Sequence, residues 1–296
     1  MKYSILGSGS KANCYLFSNT SSSCILDNGY SFNEFSKRAK SLNYDLTKFK
    51  FILVTHTHKD HISGVKVSAK KLKIPVYIHK NSDYQEYFNK EKIDIRLIET
   101  NKIYSNNLFS FIAFETSHDA TASVSYSINF ENTTFTVITD TGHITKEMIY
   151  YAKNSDVLFL EANYNPQMLK EGPYPLYLKK RIESNKGHLS NLNAINFLNY
   201  LSKNNCRIKI VYFCHLSEIN NSPEILKKDI LINGKFDFNY VICPRNQIQD
   251  GINIFENAKS NSDSKSKSDS KKINQESINN LKNISGFDKL EDNLLF

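Results

Sequence analysis

The heptapeptide THTHKDH at residues 55–61 constrains this chain more than any other stretch. It follows an apolar run, FILV, that is typical of a buried strand. Alternate side chains of an extended segment point to the same side, so His56 and His58 can approach one ion. Asp60 and His61 lie beyond the bend and can face a second ion. Because imidazole and carboxylate together suit zinc or manganese, the heptapeptide predicts part of a two-metal site.

Three further metal-capable residues, His118, Asp140 and His215, each follow an apolar run that is typical of a strand. Layered α/β proteins form their active sites at strand ends. Taken singly, each residue has an ordinary explanation, such as a surface histidine or a turn aspartate. Their placement, together with residues 55–61, predicts that they complete the metal site.

The spacing H-x-H-x-D-H, followed in order by these three residues, resembles the signature of the metallo-β-lactamase superfamily. Repeated strand-then-helix units indicate an α/β protein, and the resemblance implies a four-layer αββα metallo-β-lactamase sandwich. It also implies two divalent metal ions per chain, Zn²⁺ or Mn²⁺. The implied ligands are His56, His58 and His118 for one ion, Asp60, His61 and His215 for the other, and Asp140 as a bridge.

The full ligand set is similar to that of the phosphodiesterase and thioesterase branches of the superfamily. Drug-hydrolysing β-lactamases typically lack equivalents of His61 and Asp140, and the oxygen-reducing di-iron members carry Glu where His58 stands. Further segments, among them GSGS at residues 7–10 and GHLSN at residues 187–191, are similar to the YycJ/WalJ-type subfamily. That similarity implies a cytosolic, metal-dependent 5′-to-3′ DNA exonuclease that acts in DNA repair.

Residues outside the ligand set are expected to assist the reaction. Asp60 is expected to hold the attacking water, and His188 to bind the scissile phosphate or protonate the leaving oxygen, unless it only caps a helix. Asp27 and Glu161 are candidates for orienting the ligand histidines. The expected substrate contacts lie in or near a basic stretch and at a predicted helix start: Lys179, Arg181, His188, Ser190 and Asn191.

The composition restricts the partners and the compartment. A net charge of +8 favours a polyanionic partner, nucleic acid and DNA in particular, although a compositional bias of the genome would explain it equally well. Five cysteines without regular spacing argue against a disulfide framework and for the reducing cytoplasm. The sequence contains no apolar run long enough to span a membrane, so we expect no membrane association.

The composition changes near residue 258, where Ser, Lys, Asn and Asp begin to dominate. We therefore predict a catalytic domain at residues 1–257, a disordered linker at 258–286 and a short C-terminal peptide at 287–296. Its last residues, Leu294, Leu295 and Phe296, resemble part of the peptide by which bacterial repair proteins dock on the replication sliding clamp. That motif usually opens with Gln, where this chain has Asp292.

Three other functions share some of these features. An RNA-processing nuclease is disfavoured because no inserted domain like that of the ribonuclease J group separates His118 from His215. A glyoxalase II-like thioester hydrolase would use the same ligands, so only the basic charge argues against it. A DNA-binding or adaptor protein that keeps metal for stability is disfavoured because no ligand position is lost.

Overall fold

Residues 1–105, 109–130 and 132–251 are described by the structure, which is a computed structural model. The predicted domain end at residue 257 and the predicted linker and terminal peptide at residues 258–296 lie outside the described residues. The fold therefore does not test those predictions, including the one for the last three residues.

Two seven-stranded sheets contain the fourteen strands that the described residues form, with the first six strands and the last one in sheet A. The strands are β1 (Lys2–Gly7), β2 (Cys14–Ser18), β3 (Ser23–Leu26), β4 (Phe49–Leu53), β5 (Val76–His79), β6 (Ile95–Ile98), β7 (Ile103–Ser105), β8 (Phe109–Glu115), β9 (Val124–Phe130), β10 (Thr133–Ile138), β11 (Val157–Glu161), β12 (Ile210–Cys214), β13 (Asn239–Ile242) and β14 (Gln249–Asp250).

Both sheets are mixed. Sheet A has the order β14-β1-β2-β3-β4-β5-β6 and pairs in parallel from β3 to β6. Sheet B has the order β13-β12-β11-β10-β9-β8-β7 and pairs in parallel from β10 to β13. Apolar and polar residues alternate at residues 94–127, which is typical of a meander of strands. Strands β7, β8 and β9 pair in this way, but β6 pairs with β5 in the other sheet. Alternation identifies a strand but not its neighbour.

Nine α-helices accompany the sheets in the described part of the chain. They are α1 (Phe32–Ser41), α2 (Lys59–Ile62), α3 (Val65–Leu72), α4 (Gln85–Lys90), α5 (Lys146–Lys153), α6 (Pro166–Glu171), α7 (Leu176–Glu183), α8 (Asn191–Lys203) and α9 (Pro223–Asn233), with a 3₁₀ turn at Leu46–Lys48. The sequence predicts only α1, α3 and α8. None of these helices combines the length and the hydrophobicity needed to cross a bilayer.

Side chains that alternate along the strands build three apolar layers. In β2, Phe17 faces the other sheet and packs on Phe135 of β10, with ring centroids 5.1 Å apart. Its neighbour Leu16 faces the opposite way, into an apolar cluster with helices α1 and α3. A second cluster covers the outer face of sheet B with α5, α8 and α9. Both faces of each sheet are therefore buried, and the predicted αββα sandwich is confirmed.

Candidate metal centre

Strands of both sheets end at one place in the molecule. Asp27 follows β3, residues 55–61 follow β4, Asp140 comes two residues after β10, and His215 follows β12. These strands belong to the parallel part of each sheet, so their carboxyl ends lie at the same edge. This is the location at which α/β proteins place their ligands. The sequence argument from strand ends therefore describes the observed geometry.

The heptapeptide after β4 bends at His58, which caps the single turn of helix α2. Asp60 and His61 lie on that turn, although the sequence suggests a loop. The backbone N–H of His61 donates to the carbonyl of His58 at 2.9 Å, which closes the turn. The turn places the ring of His61 beside that of His56, with centroids 4.1 Å apart, and brings Asp60 next to His61.

Three imidazoles form what we call the first cluster: His56, His58 and His118. The Nδ1 of His58 lies 3.1 Å from the Nε2 of His56 and 3.2 Å from the Nε2 of His118. A tetrahedral zinc ion with bonds of 2.0–2.1 Å would separate its nitrogen ligands by about 3.3–3.4 Å. The three nitrogens are therefore spaced as ligands of one ion.

Asp60, His61 and His215 form the second cluster. The Oδ2 of Asp60 lies 3.4 Å from the Nε2 of His61 and 3.7 Å from the Nε2 of His215. Both histidine side chains are buried, at 0% and 3% exposure. One carboxylate oxygen thus faces two imidazole nitrogens in a dry environment, which favours a cation there.

Asp140 lies between the two clusters. Its Oδ2 is 3.4 Å from the Nε2 of His61, and its Oδ1 is 3.4 Å from the Nε2 of His215. The same Oδ1 is 3.9 Å from the Nε2 of His118 in the first cluster. A carboxylate in this position can contact ions in both clusters.

The hydrogen bonds behind the histidines indicate which ring nitrogens carry protons. His118 donates from Nδ1 to the carbonyl of Gly187 at 3.1 Å, because that oxygen can only accept. His61 donates from Nδ1 to Asp27 at 2.8 Å, and His215 from Nδ1 to Glu161 at 2.9 Å. In the neutral rings the lone pairs at Nε2 therefore point into the centre, as metal-binding histidines require.

Two buried atoms at the centre have no hydrogen-bond partner: Oδ2 of Asp140 and Nε2 of His215. Leaving a buried polar atom unpaired costs about 1–3 kcal/mol. Divalent cations between the clusters would contact both atoms and would offset the carboxylate charges. The donor set, imidazole and carboxylate, also fits zinc or manganese. The residues present therefore fit divalent metal binding.

Two fully buried carboxylates support the second cluster from behind. Asp27 accepts hydrogen bonds from the backbone and hydroxyl of Thr55 at 2.8 and 2.7 Å, in addition to that of His61. Glu161 accepts from the Nδ1 of His188 at 2.8 Å and from that of His215 at 2.9 Å, both at Oε1. Its Oε2 accepts backbone N–H groups. Each carboxylate therefore accepts a hydrogen bond from a ring of the second cluster, and the predicted role of Asp27 and Glu161 in orienting ligand histidines stays a prediction.

Three of these residues have left-handed backbone conformations: φ is 55° at Asp27, 57° at Asp140 and 56° at His215. This region is uncommon for residues with a Cβ and is typical of functional sites held by their surroundings. The N–H of His215 donates to the hydroxyl of Ser8 at 2.8 Å, and that of Asp27 to the carbonyl of Leu53 at 2.9 Å. These bonds hold the turns that direct the side chains into the centre.

The electrostatics differ between the clusters. Burial and the neighbouring imidazoles lower the pKa of His56, and burial also lowers that of His118, so both rings favour the neutral, metal-binding form. Burial opposes the charge on His61, but Asp140 and Asp27 outweigh it and raise its pKa to about 10. Despite burial, the imidazoles of His215 and His61 next to its carboxylate lower the pKa of Asp60. The second cluster therefore attracts positive charge.

Two residues that touch the centre were not assigned a role from the sequence. The Nδ2 of Asn13 lies 3.1 Å from Oδ2 of Asp60 and 2.9 Å from Nε2 of His61, while its Oδ1 accepts from the N–H of Gly9. Asp119 has its Oδ1 3.4 Å from Nε2 of His118. Asn13 is 47 residues from Asp60, and no periodicity connects them.

A cleft of about 310 Å³ opens onto the centre. Arg181 and His188, two of the predicted substrate contacts, line it together with Asp60. The guanidinium of Arg181 donates to the carboxylate of Asp119, which despite burial lowers the pKa of that carboxylate. The Nζ of Lys179 instead donates to the carbonyl of Lys170 at 2.7 Å, outside the cleft lining.

Ser190 and Asn191 do not reach the cleft, and their prediction as substrate contacts is corrected. The hydroxyl of Ser190 caps α8 by accepting from the N–H of Asn193 at 3.1 Å. The amide of Asn191 is fully buried and donates to Asn221 and to Asp229. Both side chains already make hydrogen bonds within the fold, and the sequence pattern of a helix start does not reveal those partners.

The family model described as the beta-lactamase superfamily domain matches residues 23–215 of this chain. That range contains every residue of both clusters and Asp140. The match therefore covers about two thirds of the chain and includes the whole candidate centre.

Two characterised relatives are similar over most of their length. Exodeoxyribonuclease WalJ of Streptococcus pneumoniae is 31% identical over 229 residues, which cover 76% of this chain and 84% of that protein. Exodeoxyribonuclease YycJ of Bacillus anthracis is 28% identical over 233 residues, which cover 78% of this chain and 88% of that protein.

Among solved structures, the metallo-beta-lactamase fold protein YhfI of Bacillus subtilis superimposes with a TM-score of 0.63 at 18% identity. The match covers 84% of this chain and 98% of that one. The short form of human tRNase Z gives a TM-score of 0.58 at 12% identity, with coverages of 84% and 98%. At these identities the two matches show the fold alone. The chain thus belongs to the beta-lactamase superfamily, in the branch of metal-dependent hydrolases that includes WalJ and YycJ.

Proposed function

We propose that this protein is a binuclear-metal-dependent phosphodiesterase, a 5′-to-3′ DNA exonuclease. The observation that carries the proposal is the pair of ligand clusters that share Asp140. A two-metal centre of this kind suits in-line displacement at phosphorus. The names of the WalJ and YycJ relatives support DNA as the substrate and cleavage from an end.

The proposed ligands follow the geometry. We assign the first ion to His56, His58 and His118, the second to Asp60, His61 and His215, and the bridge to Asp140. When bound, a pair of divalent ions supplies a hydroxide at neutral pH and positive charge against the phosphate. The residues of the chain are proposed to perform the remaining tasks: they orient the substrate, hold the nucleophile and move protons.

Asp60 is proposed to position the attacking water. Its Oδ2 is already held by the side chain of Asn13, at 3.1 Å, and its side chain is one-fifth exposed and lines the cleft. An ionised carboxylate can only accept, and it accepts a hydrogen bond from water more strongly than a neutral carboxyl group does. The lowered pKa of Asp60 keeps it ionised throughout the neutral range.

His188 is proposed as the residue that contacts the phosphate or protonates the leaving oxygen. Its Nδ1–H is fixed by Glu161 at 2.8 Å, and its side chain is about one-quarter exposed and lines the cleft. The Nε2 is then the ring nitrogen that can give a proton to the substrate. Arg181, also on the cleft wall, is proposed to attract the phosphate backbone.

The test is hydrolysis of 5′-phosphorylated DNA, single- and double-stranded, labelled at either end, with Mn²⁺ or Zn²⁺ supplied. Asp140→Ala and His58→Ala are run beside the wild type, with His79→Ala as a matched control. His79 lies at the end of β5, outside both clusters. We expect mononucleotides released from the 5′ end by wild type and His79→Ala, and none by the other two.

Other outcomes redirect the proposal. No cleavage of DNA by the metal-loaded protein would contradict the exonuclease, and RNA and then a chromogenic thioester would be tried as substrates. Release of mononucleotides from the 3′ end would support phosphodiesterase activity and contradict the proposed 5′-to-3′ polarity. Cleavage that survives both substitutions would reveal a contaminating nuclease.

Three finer proposals rest on the sequence. We propose a role in DNA repair and a cytoplasmic location, the latter because all five cysteines are unpaired. We also propose that Leu294, Leu295 and Phe296 dock on the replication sliding clamp. Pull-down of the clamp by the intact protein, lost in Leu295→Ala with Phe296→Ala, would support docking. Failure of the intact protein to bind would refute it.

A further inference from the structure

Helix α7 differs from the other eight helices of the described residues because none of its side chains is buried. Leu176 and Tyr177, at its first turn, are 66% and 75% exposed. Tyr177 makes no hydrogen bond or ring contact with any described residue. A single exposed apolar residue is ordinary, but two in succession beside an active-site cleft indicate a binding surface.

The side of α7 next to Tyr177 forms a wall of the cleft. Leu178, Arg181 and Ile182 line it, with Tyr174 just before the helix. Tyr177 and Arg181 are four residues apart, so they are neighbours on the helix surface. A ligand that contacts Arg181 at the mouth of the cleft therefore has Tyr177 within about one helical turn, roughly 5–6 Å between Cβ atoms.

Arg181 also connects α7 to the metal centre. Its guanidinium forms an ion pair with Asp119, and Oδ1 of Asp119 lies 3.4 Å from Nε2 of His118. The helix is therefore held in a defined position relative to the first cluster. A group that rests on Tyr177 therefore lies about one helical turn from Arg181, which lines the cleft.

The charge of the surface indicates the chemistry of its ligand. The stretch at residues 176–186 carries four cations, at Lys179, Lys180, Arg181 and Lys186, and one acidic residue, Glu183. Exposed aromatic rings combined with cations bind single-stranded nucleic acids, in which bases stack on the rings and phosphates contact the cations. Paired bases inside a duplex do not present their faces in this way.

We infer that Tyr177, with Leu176 beside it, is a stacking site for the unpaired bases next to the terminal phosphate. This inference rests on the proposed nuclease function and specifies its substrate as a single-stranded end. Tyr177 is a binding residue in this account and does not take part in the chemical step. The site would hold a strand by its bases without reading their identity.

The first test is equilibrium binding of a fluorescent phosphorothioate oligothymidylate, which resists hydrolysis, to the metal-loaded protein, followed by anisotropy. We expect Tyr177→Ala to weaken binding about 5- to 20-fold, the low end of what one base–aromatic stack contributes. Tyr177→Phe keeps the ring and is expected to bind like wild type. Leu231→Ala is the control, because Leu231 is equally exposed at 75% but lies on α9, which contributes no residue to the cleft lining, whereas α7 contributes three.

The second test removes the base instead of the ring. An oligonucleotide with abasic sites beside its 5′-terminal nucleotide should bind wild type about 5- to 20-fold more weakly, and Tyr177→Ala should then add no further loss. If the abasic oligonucleotide bound Tyr177→Ala more weakly than wild type by the same factor as the intact oligonucleotide does, the base would not contact Tyr177 and the inference would be overturned. A loss in Leu231→Ala as large as that in Tyr177→Ala would also overturn it, because the effect would not be local.

Hydrolysis separates this inference from the proposed function. Tyr177→Ala should raise KM for single-stranded DNA and leave unchanged the turnover of thymidine 5′-p-nitrophenyl phosphate, which has no neighbouring base. Unchanged KM for the strand in Tyr177→Ala would overturn the stacking site alone. If wild type neither bound nor hydrolysed any strand, the proposed nuclease function would be refuted together with it.

Discussion

The two ligand clusters contain three residues each, but their surroundings are different. In the second cluster, His61 and His215 are buried and each donates Nδ1–H to a buried carboxylate. In the first cluster, His58 has 37% of its side chain exposed, and its Nδ1 faces the other imidazoles. His118 is held only by a backbone carbonyl.

This difference affects how firmly each cluster can hold an ion. A carboxylate behind a ligand histidine makes the ring more basic and determines its orientation, and burial excludes competing water. The second cluster has both advantages, so we expect it to bind its ion more tightly. The first cluster lacks such carboxylates, and its His58 is the most exposed of the six ligands. Both clusters reach the cleft, the first through His58 and His118 and the second through Asp60 and His215. The clusters therefore differ in the support behind their rings and not in their access to substrate.

Asp140→Ala is expected to have the largest effect, because this residue serves both clusters. Loss of the bridge should lower kcat/KM about 1,000-fold or more, which corresponds to several kcal/mol of lost charge stabilisation. The measurement is DNA hydrolysis with the metal content determined in parallel. A variant that folded normally and lost less than tenfold would show that Asp140 is not shared.

His58→Ala and His215→Ala compare the clusters directly and should both lower activity by about 100-fold or more. Metal analysis should separate them. His58→Ala should retain about one tightly bound ion, because the second cluster is intact, whereas His215→Ala should lose that ion first. Titration of the loaded proteins with a chelator measures the order. The opposite order would invert the comparison between the clusters.

Glu161→Gln and Asp27→Asn test the carboxylates behind the second cluster. Changes of this kind cost about 10- to 100-fold in activity or metal affinity. We expect the loss in Glu161→Gln to be at the upper end of this range, because Oε1 of Glu161 accepts from both His215 and His188. We expect the loss in Asp27→Asn to be at the lower end, because His61 is the one histidine that donates to Asp27. Metal affinity and kcat are measured for both, with thermal unfolding to check the fold.

A result in which Asp27→Asn is the more damaging would mean that the anchoring of Thr55 matters more than the imidazoles. Asp27 accepts two hydrogen bonds from Thr55, at 2.8 and 2.7 Å. Thr55→Val removes the hydroxyl and keeps the backbone N–H. It would therefore separate the anchoring of the heptapeptide from the orientation of His61.

Asn13→Ala should have the smallest effect of the set. It removes the hydrogen bond to Oδ2 of Asp60 and leaves all proposed ligands in place. We expect kcat to fall about 5- to 10-fold, with the metal content unchanged, because a typical hydrogen bond contributes about 1 kcal/mol. Loss of an ion in Asn13→Ala would show that Asn13 acts on metal binding and not on the orientation of Asp60.

The sequence indicated the candidate ligands because their signals are local. Residues 55–61 are dense in ligands, and Asp140 and His215 each come just after an apolar strand. Strand ends of a parallel sheet meet at one edge, so a one-dimensional rule describes a three-dimensional location. The same rule identified Glu161 directly, because it is the last residue of β11.

Signals that depend on distant partners were missed. Ser190 and Asn191 look like phosphate donors at a helix start, but Asn191 is consumed by Asn221 and Asp229. Asn13 shows no pattern in the sequence and still reaches Asp60. These outcomes depend on which side chains become neighbours after the sheets have packed. The hydrophobic periodicity and the residue spacing of the sequence do not contain that information.

The sequence by itself determined the kind of chemistry, because ligand identity and order are chemical properties of the chain: imidazoles and carboxylates in this order suit divalent ions. The tertiary structure decided how the surroundings of the two clusters differ. The left-handed turns at Asp140 and His215, the buried carboxylates and the exposed helix α7 exist only when both sheets are in place. Burial, tautomer and access are properties of packing. Packing therefore placed buried carboxylates behind the second cluster and left His58 of the first cluster partly exposed.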